Sequence, residues 1–182
     1  MFTKNNYVLT SGQKFGEPYQ RVSIADIRPK NKIITSELPT GASSFQTEIS
    51  EMEMTPPNED KSTTTVYRLS FENTQGELYM VECEPSDINI FCKYSKFKNL
   101  GQLLTWGANF AAMDWRGFPV KLINVEEVEY DGPLYSIITK ETANSIISGI
   151  NFITKKLSQF SSKLTAADLQ KPEGEEQAFE EE

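Results

Sequence analysis

The sequence contains no histidine at all. Without an imidazole, no side chain has an ordinary pKa suited to both giving and taking a proton near neutrality, which removes the common acid–base and triad enzymes. Cysteine is nearly as scarce, with only Cys83 and Cys92. Two thiols without histidine cannot close a tetrahedral zinc site unless carboxylates help, so neither a metal nor a cofactor is expected. The opening Met1-Phe-Thr-Lys-Asn-Asn6 lacks the apolar core of a signal peptide. The two cysteines are therefore expected to be reduced and packed rather than paired, and the chain to be intracellular. No apolar run approaches the roughly 18 residues of a membrane span, and no glycine-rich phosphate loop is present.

Basic charge is also short, with 18 Lys and Arg against 26 Asp and Glu, a formal −8. Residues 171–182 hold six glutamates against one lysine, a formal −5 that leaves −3 for residues 1–170. Neither part offers the basic stripe that direct nucleic-acid binding requires. Glutamate neighbours such as Glu51 and Glu53, or Glu126 and Glu127, carry no sign of alignment across a cleft and read as solvated faces. Glu82 and Glu84 flank Cys83, and carboxylates raise a thiol's pKa, so Cys83 reads as a packing residue and not a nucleophile.

What remains is a series of short β signals. Tyr7–Thr10 is a β-branched and aromatic run stopped by Ser11-Gly12, and Ile24 to Thr35 reads as extended about the turn-like Arg28-Pro-Lys-Asn31. Residues 37–64, rich in Ser, Thr, Pro, Glu and Asn, read as one long loop. Val66 to Val81 alternates in burial preference about Asn73-Thr-Gln-Gly76 and predicts a hairpin. Lys98 to Leu104 reads as a helical turn or a bend, and Val120–Val125 and Leu134–Ile138 as strands about Tyr130-Asp-Gly-Pro133. The pattern predicts a mainly β domain over residues 1–154.

The C-terminal end carries two competing signals. Ile146, Ile150, Ile153, Leu157, Phe160 and Leu164 fall at helical spacing, whereas Asn144, Gly149 and Asn151 suit two short strands about Ser148-Gly149. One long helix, or strands followed by an amphipathic helix over 155–170, both fit. Residues 171–182 read as an acidic disordered tail. Candidate partner-binding residues are Trp106, Trp115 and Phe118, which surround Gly107 and Gly117, and the helical stripe Leu157, Phe160 and Leu164.

Taken in order, these segments resemble the Hint module shared by inteins and the hedgehog autoprocessing domain. Met1 to Thr10 is similar to the module's opening strand, Val22 to Ile34 to the segment after it, and Val66 to Val81 to the hairpin leading into its Thr-x-x-His motif. Val120 to Ile137, with Tyr130-Asp-Gly-Pro-Leu-Tyr135, is similar to its late strand pair, and Asn144-Ser-Ile-Ile-Ser-Gly-Ile150 to its closing segment. The resemblance implies a compact Hint-like β fold. It also implies self-cleavage by a Cys, Ser or Thr at the first position, a histidine in the Thr-x-x-His motif and a closing His-Asn pair.

Here those positions fall on Met1, near Cys83-Glu-Pro-Ser86, and near Ile153-Thr154, none of which supplies a nucleophilic first residue or an imidazole. If Met1 begins the natural chain, there is no upstream peptide bond to cleave. The expectation is a non-catalytic structural or protein-interaction component of a larger assembly, with no catalytic residue. Hint-like modules occur in mobile elements, viruses and secretion systems, so the resemblance implies a phage or virion setting. Two alternatives stay open: self-cleavage by atypical residues, and an acidic regulator of a nucleic-acid-binding protein.

Overall fold

In the computed structural model the described residues are 1–11, 19–36, 44–55, 63–86, 88–92, 96–105, 107, 110–140 and 144–153. They form thirteen strands: β1 (Tyr7–Ser11), β2 (Tyr19–Ser23), β3 (Lys32–Ser36), β4 (Ser44–Thr55), β5 (Thr64–Glu72), β6 (Leu78–Cys83), β7 (Asn89–Cys92), β8 (Lys96–Asn99), β9 (Ala111–Met113), β10 (Pro119–Tyr130), β11 (Leu134–Thr139), β12 (Asn144–Ile147) and β13 (Ile150–Ile153). One helix, α1 (Leu100–Thr105), follows β8, its start bound by Asn99 Oδ1, which accepts from Gln102 N–H at 3.0 Å. The architecture is mainly β. No helix among the described residues is long and apolar enough to cross a membrane.

An eight-stranded sheet runs β12-β13-β7-β9-β10-β5-β6, with β8 also paired to β7. A three-stranded sheet, β11-β4-β3, and the β1-β2 ribbon close over it. One cluster fills the space between them, including Val8, Ile33, Ile49, Leu69, Phe71, Ile90 and Phe152, each almost wholly buried. Burial of side chains of this size is worth about 1.5–3 kcal/mol each, so the alternating strands specify which face turns inward.

Local chemistry sets the turns. Between β5 and β6, Asn73 Oδ1 accepts from the N–H groups of Gln75 and Glu77, and Gly76 takes φ +82°. Between β12 and β13, Ser148 and Gly149 both take positive φ, 51° and 85°, the signature of a tight hairpin turn. The strand reading of Asn144 to Phe152 is therefore the one the fold adopts. The expected helix over 155–170 and the tail over 171–182 lie outside the described residues.

Two expectations need correction. Residues 37–64 are not one long loop, because β4 occupies twelve of them and pairs with both β3 and β11. Of the side chains described on this strand, Gln46 to Thr55, only Thr47 and Ile49 are buried and the rest are exposed or half-buried, so its polar composition hid it. Ile24 to Thr35 is not continuously extended either. Ile24–Asp26 forms a single 3-10 turn, capped by Ser23 Oγ, which accepts from Ala25 N–H at 3.3 Å, and it delivers Ile24 and Ile27 to the core.

Candidate functional site

The first three residues form a short extended segment that bridges two sheets. The Met1 ammonium donates to Glu84 O at 2.9 Å, and Glu84 N–H donates back to Met1 O at 2.9 Å. Phe2 exchanges both backbone hydrogen bonds with Tyr135 of β11, at 2.8 and 2.7 Å, and Thr3 N–H reaches Glu82 O at 3.2 Å. The Met1 side chain packs beside Val66, Tyr130 and Leu134, where its Sδ accepts from Thr55 Oγ1 at 3.1 Å.

Cys83 is fully buried beside this segment, and burial pushes its thiol up to about 12; the N-terminal ammonium opposes the shift, while Glu84 and Glu82 add to it. Ile153, at the end of β13, is buried and paired with Asn89. Ser86 donates its N–H and its hydroxyl to the Glu84 carboxylate, at 3.2 and 2.7 Å. Thr154 lies outside the described residues.

Buried amides hold this end of the molecule. Asn6 Nδ2 donates to Thr3 O and Glu82 O, while Asn6 Oδ1 accepts from Glu82 N–H and Ser148 Oγ, tying the opening segment to β6 and to the β12–β13 turn. Asn144 Nδ2 donates to Ser36 O and to Asn151 Oδ1, and Asn151 Nδ2 donates to Ser36 Oγ at 2.6 Å, tying β12 and β13 to β3. Each group left without its partner here would cost about 1–3 kcal/mol, so these amides fix the strand ends firmly.

A second arrangement lies at the mouth of a surface cleft of about 340 Å³ between β1, β2, β6 and the turn joining β9 to β10. Asp114, fully buried, builds that turn: its Oδ1 accepts from the N–H groups of Arg116 and Phe118, both at 2.9 Å, and Gly117 takes φ +87°. Asp114 Oδ2 accepts from Tyr79 OH at 3.1 Å, and burial followed by this carboxylate pushes the phenol up to about 12. Arg116 reaches Glu77, Tyr79 and Asp114, and its guanidinium stands 5.4 Å from the Trp115 ring centre and 5.6 Å from that of Phe118. Trp115 meets Tyr19 edge-on at 4.9 Å, and Arg21 lies 4.6 Å over Tyr7.

Of the expected partner-binding residues, Trp115 and Phe118 are thus brought together, Trp115 half-buried against the core and Phe118 exposed at 58%. Trp106, Leu157, Phe160 and Leu164 lie outside the described residues. Sequence reasoning missed Tyr7, Tyr19, Arg21, Tyr79 and Arg116. The only local signal was the sequence Asp114-Trp-Arg-Gly-Phe118, a turn that sets a cation between two aromatics.

No protein-family model matches the sequence, and no curated protein matches it. Solved structures do match by shape. The chain is similar to a bacterial intein-like domain from Clostridium thermocellum, at 14% identity and TM-score 0.63, over 85% of this chain and 97% of that one. It is similar to a DnaB intein from Synechocystis, at 14% identity and TM-score 0.56, over 84% and 100%, and to the gp41-1 intein, at 13% identity and TM-score 0.53, over 85% and 97%. The chain has the intein-like Hint fold.

Proposed function

We propose that this chain is a Hint-fold module without cleavage chemistry, serving as a structural or protein-interaction component of a larger assembly. The observation that carries this reading is what occupies the expected reaction positions. A thioether stands at Met1, a fully buried thiol with its pKa near 12 at Cys83, and an apolar side chain at Ile153. None of the three is a nucleophile toward a carbonyl at neutral pH, and none takes up and releases a proton there. The interaction role draws support from Trp115, Phe118 and Arg116, since aromatics and arginine dominate binding hot spots.

A second reading, self-cleavage by unfamiliar residues, draws support from Ser86, whose hydroxyl is held 2.7 Å from Glu84 Oε2 next to the Met1 ammonium contact. A carboxylate alone is a weak base for a serine hydroxyl, which favours the first reading. Fusing a folded domain ahead of Met1 separates the two: one intact species supports the non-catalytic module, and timed release of the fused domain supports self-cleavage.

A further inference from the structure

The eight-stranded sheet ends at β6, and the outer side of that strand is only partly covered. Glu82 turns its backbone away from β5: its N–H donates to Asn6 Oδ1 at 3.1 Å, and its C=O accepts from Thr3 N–H at 3.2 Å. The β5–β6 register runs without a shift, Arg68 opposite Glu82, Ser70 opposite Met80 and Glu72 opposite Leu78. Outward-facing residues recur at every second position of an antiparallel ladder, so Met80 and Leu78 also direct N–H and C=O outward. Neither finds a backbone partner on that side among the described residues. The cover supplied by Met1–Thr3 stops because the chain turns away at Lys4-Asn5. The side chains of Leu78 and Met80 are 66% and 57% exposed.

A row of free amides and carbonyls at strand spacing is matched by another extended backbone. The side chains of such a strand would alternate. One set would lie over Leu78 and Met80, and the other would enter the 340 Å³ cleft. That cleft offers aromatic surface at Trp115 and two guanidinium groups. Arg21 has no carboxylate partner among the described residues, and the buried Nε of Arg116 has no acceptor. Among the described residues, the two carboxylates at the cleft, Glu77 and the buried Asp114, both serve Arg116, at 3.4 and 3.5 Å, which leaves the Arg21 guanidinium for an incoming group. Guanidinium donors of this kind favour a carboxylate over any neutral acceptor.

We infer that β6 takes an extended, acidic segment of a partner protein as an added strand at Leu78–Met80, with its inward side chains seated beside Trp115, Arg21 and Arg116. This rests on the interaction role proposed above.

The test is a titration of the full isotope-labelled chain, followed by NMR, with a synthetic peptide alternating valine and glutamate and with its valine–lysine counterpart. Expected are movement of the Leu78 and Met80 amide signals and of the Trp115 indole, and exchange at those two amides slowed by about tenfold. The lysine peptide should bind at least about fivefold more weakly at low salt. Met80→Pro removes an outward N–H without breaking a β5–β6 bond, so it should keep the fold and lose the peptide. If Met80→Pro fails to fold, Arg21→Gln, which lies on β2 and not on the β6 edge, must weaken the acidic peptide several-fold.

Unchanged Leu78 and Met80 signals, or undiminished binding to Met80→Pro, overturns the inference. So does protection that exists without peptide, if it grows with protein concentration (a second copy on the edge) or vanishes when residues 171–182 are deleted (the chain's own tail). Cleavage is read separately by mass, so a failure here leaves the non-catalytic reading standing.

Discussion

Phe2 meets Phe152 edge-on, with ring centres 5.1 Å apart and planes at 63°. The first residue belongs to the segment that bridges β6 and β11, the second to the last described strand, and both are buried. The contact joins the opening segment to β13, the last described strand.

Phe2→Ala should therefore destabilise the whole domain and not merely fray its start. A cost of about 3–5 kcal/mol is expected from urea unfolding, as for other buried phenylalanines. A double-mutant cycle with Phe152→Leu should return a coupling of roughly 0.5–1.5 kcal/mol, the usual worth of an edge-on aromatic pair.

Cys83 should act only through packing. Cys83→Ala is expected to cost about 1–2 kcal/mol at neutral pH. Alkaline titration gives a second reading of the same burial. The ordinary thiol value is 9.0 and the folded value is about 12, so the thiol is protonated in both states at neutral pH. Above pH 9 only the unfolded chain ionises, and stability falls as pH rises from 9 towards 12. Cys92, pushed up to about 12 by burial, adds to the same slope. Thermal midpoints measured across that range should show a shallower decline in Cys83→Ala, and iodoacetamide should label neither thiol before unfolding.

Gly149 is held by two constraints at once. Its φ is +85°, and an added Cβ would stand 2.5 Å from Cδ1 of Tyr79. Gly149→Ala should cost about 1–3 kcal/mol by urea unfolding. Part of that loss should be recovered in a Tyr79→Ala background, where only the backbone strain remains.

Asp114 should be indispensable to the shape of the cleft. Asp114→Ala orphans the N–H groups of Arg116 and Phe118 and the hydroxyl of Tyr79, with an expected cost of about 3 kcal/mol. Trp115 fluorescence should report the loosened turn before global unfolding.

How much of this the sequence disclosed depends on where each signal lay. The Val66–Val81 hairpin was legible because Leu69, Phe71, Tyr79 and Val81 mark the inward face and Asn73 and Gly76 mark the turn. Ser148-Gly149 likewise announced the β12–β13 hairpin. β4 was concealed because most of its described side chains are exposed or half-buried and one of the buried ones is Thr47, so composition argued for a loop while pairing on both edges made a strand. The Ile24–Asp26 turn was missed because Ile24 and Ile27, three apart, satisfy an irregular extended reading as well as a 3-10 one. The cleft was legible only in its Trp115–Phe118 portion. Tyr7, Tyr19, Arg21 and Tyr79 join it from three separate strands, and nothing in one sequence records that meeting.

The central claim, a Hint fold without its cleavage reaction, is tested most directly by intact mass. A folded domain fused ahead of Met1 would be incubated for days at neutral pH, with and without hydroxylamine or a small thiol, both of which intercept thioesters and reactive esters. The account predicts one unchanged mass equal to the whole fusion under every condition. Appearance of the free upstream domain, carrying a new carboxylate, hydroxamate or thioester at its end, would contradict it.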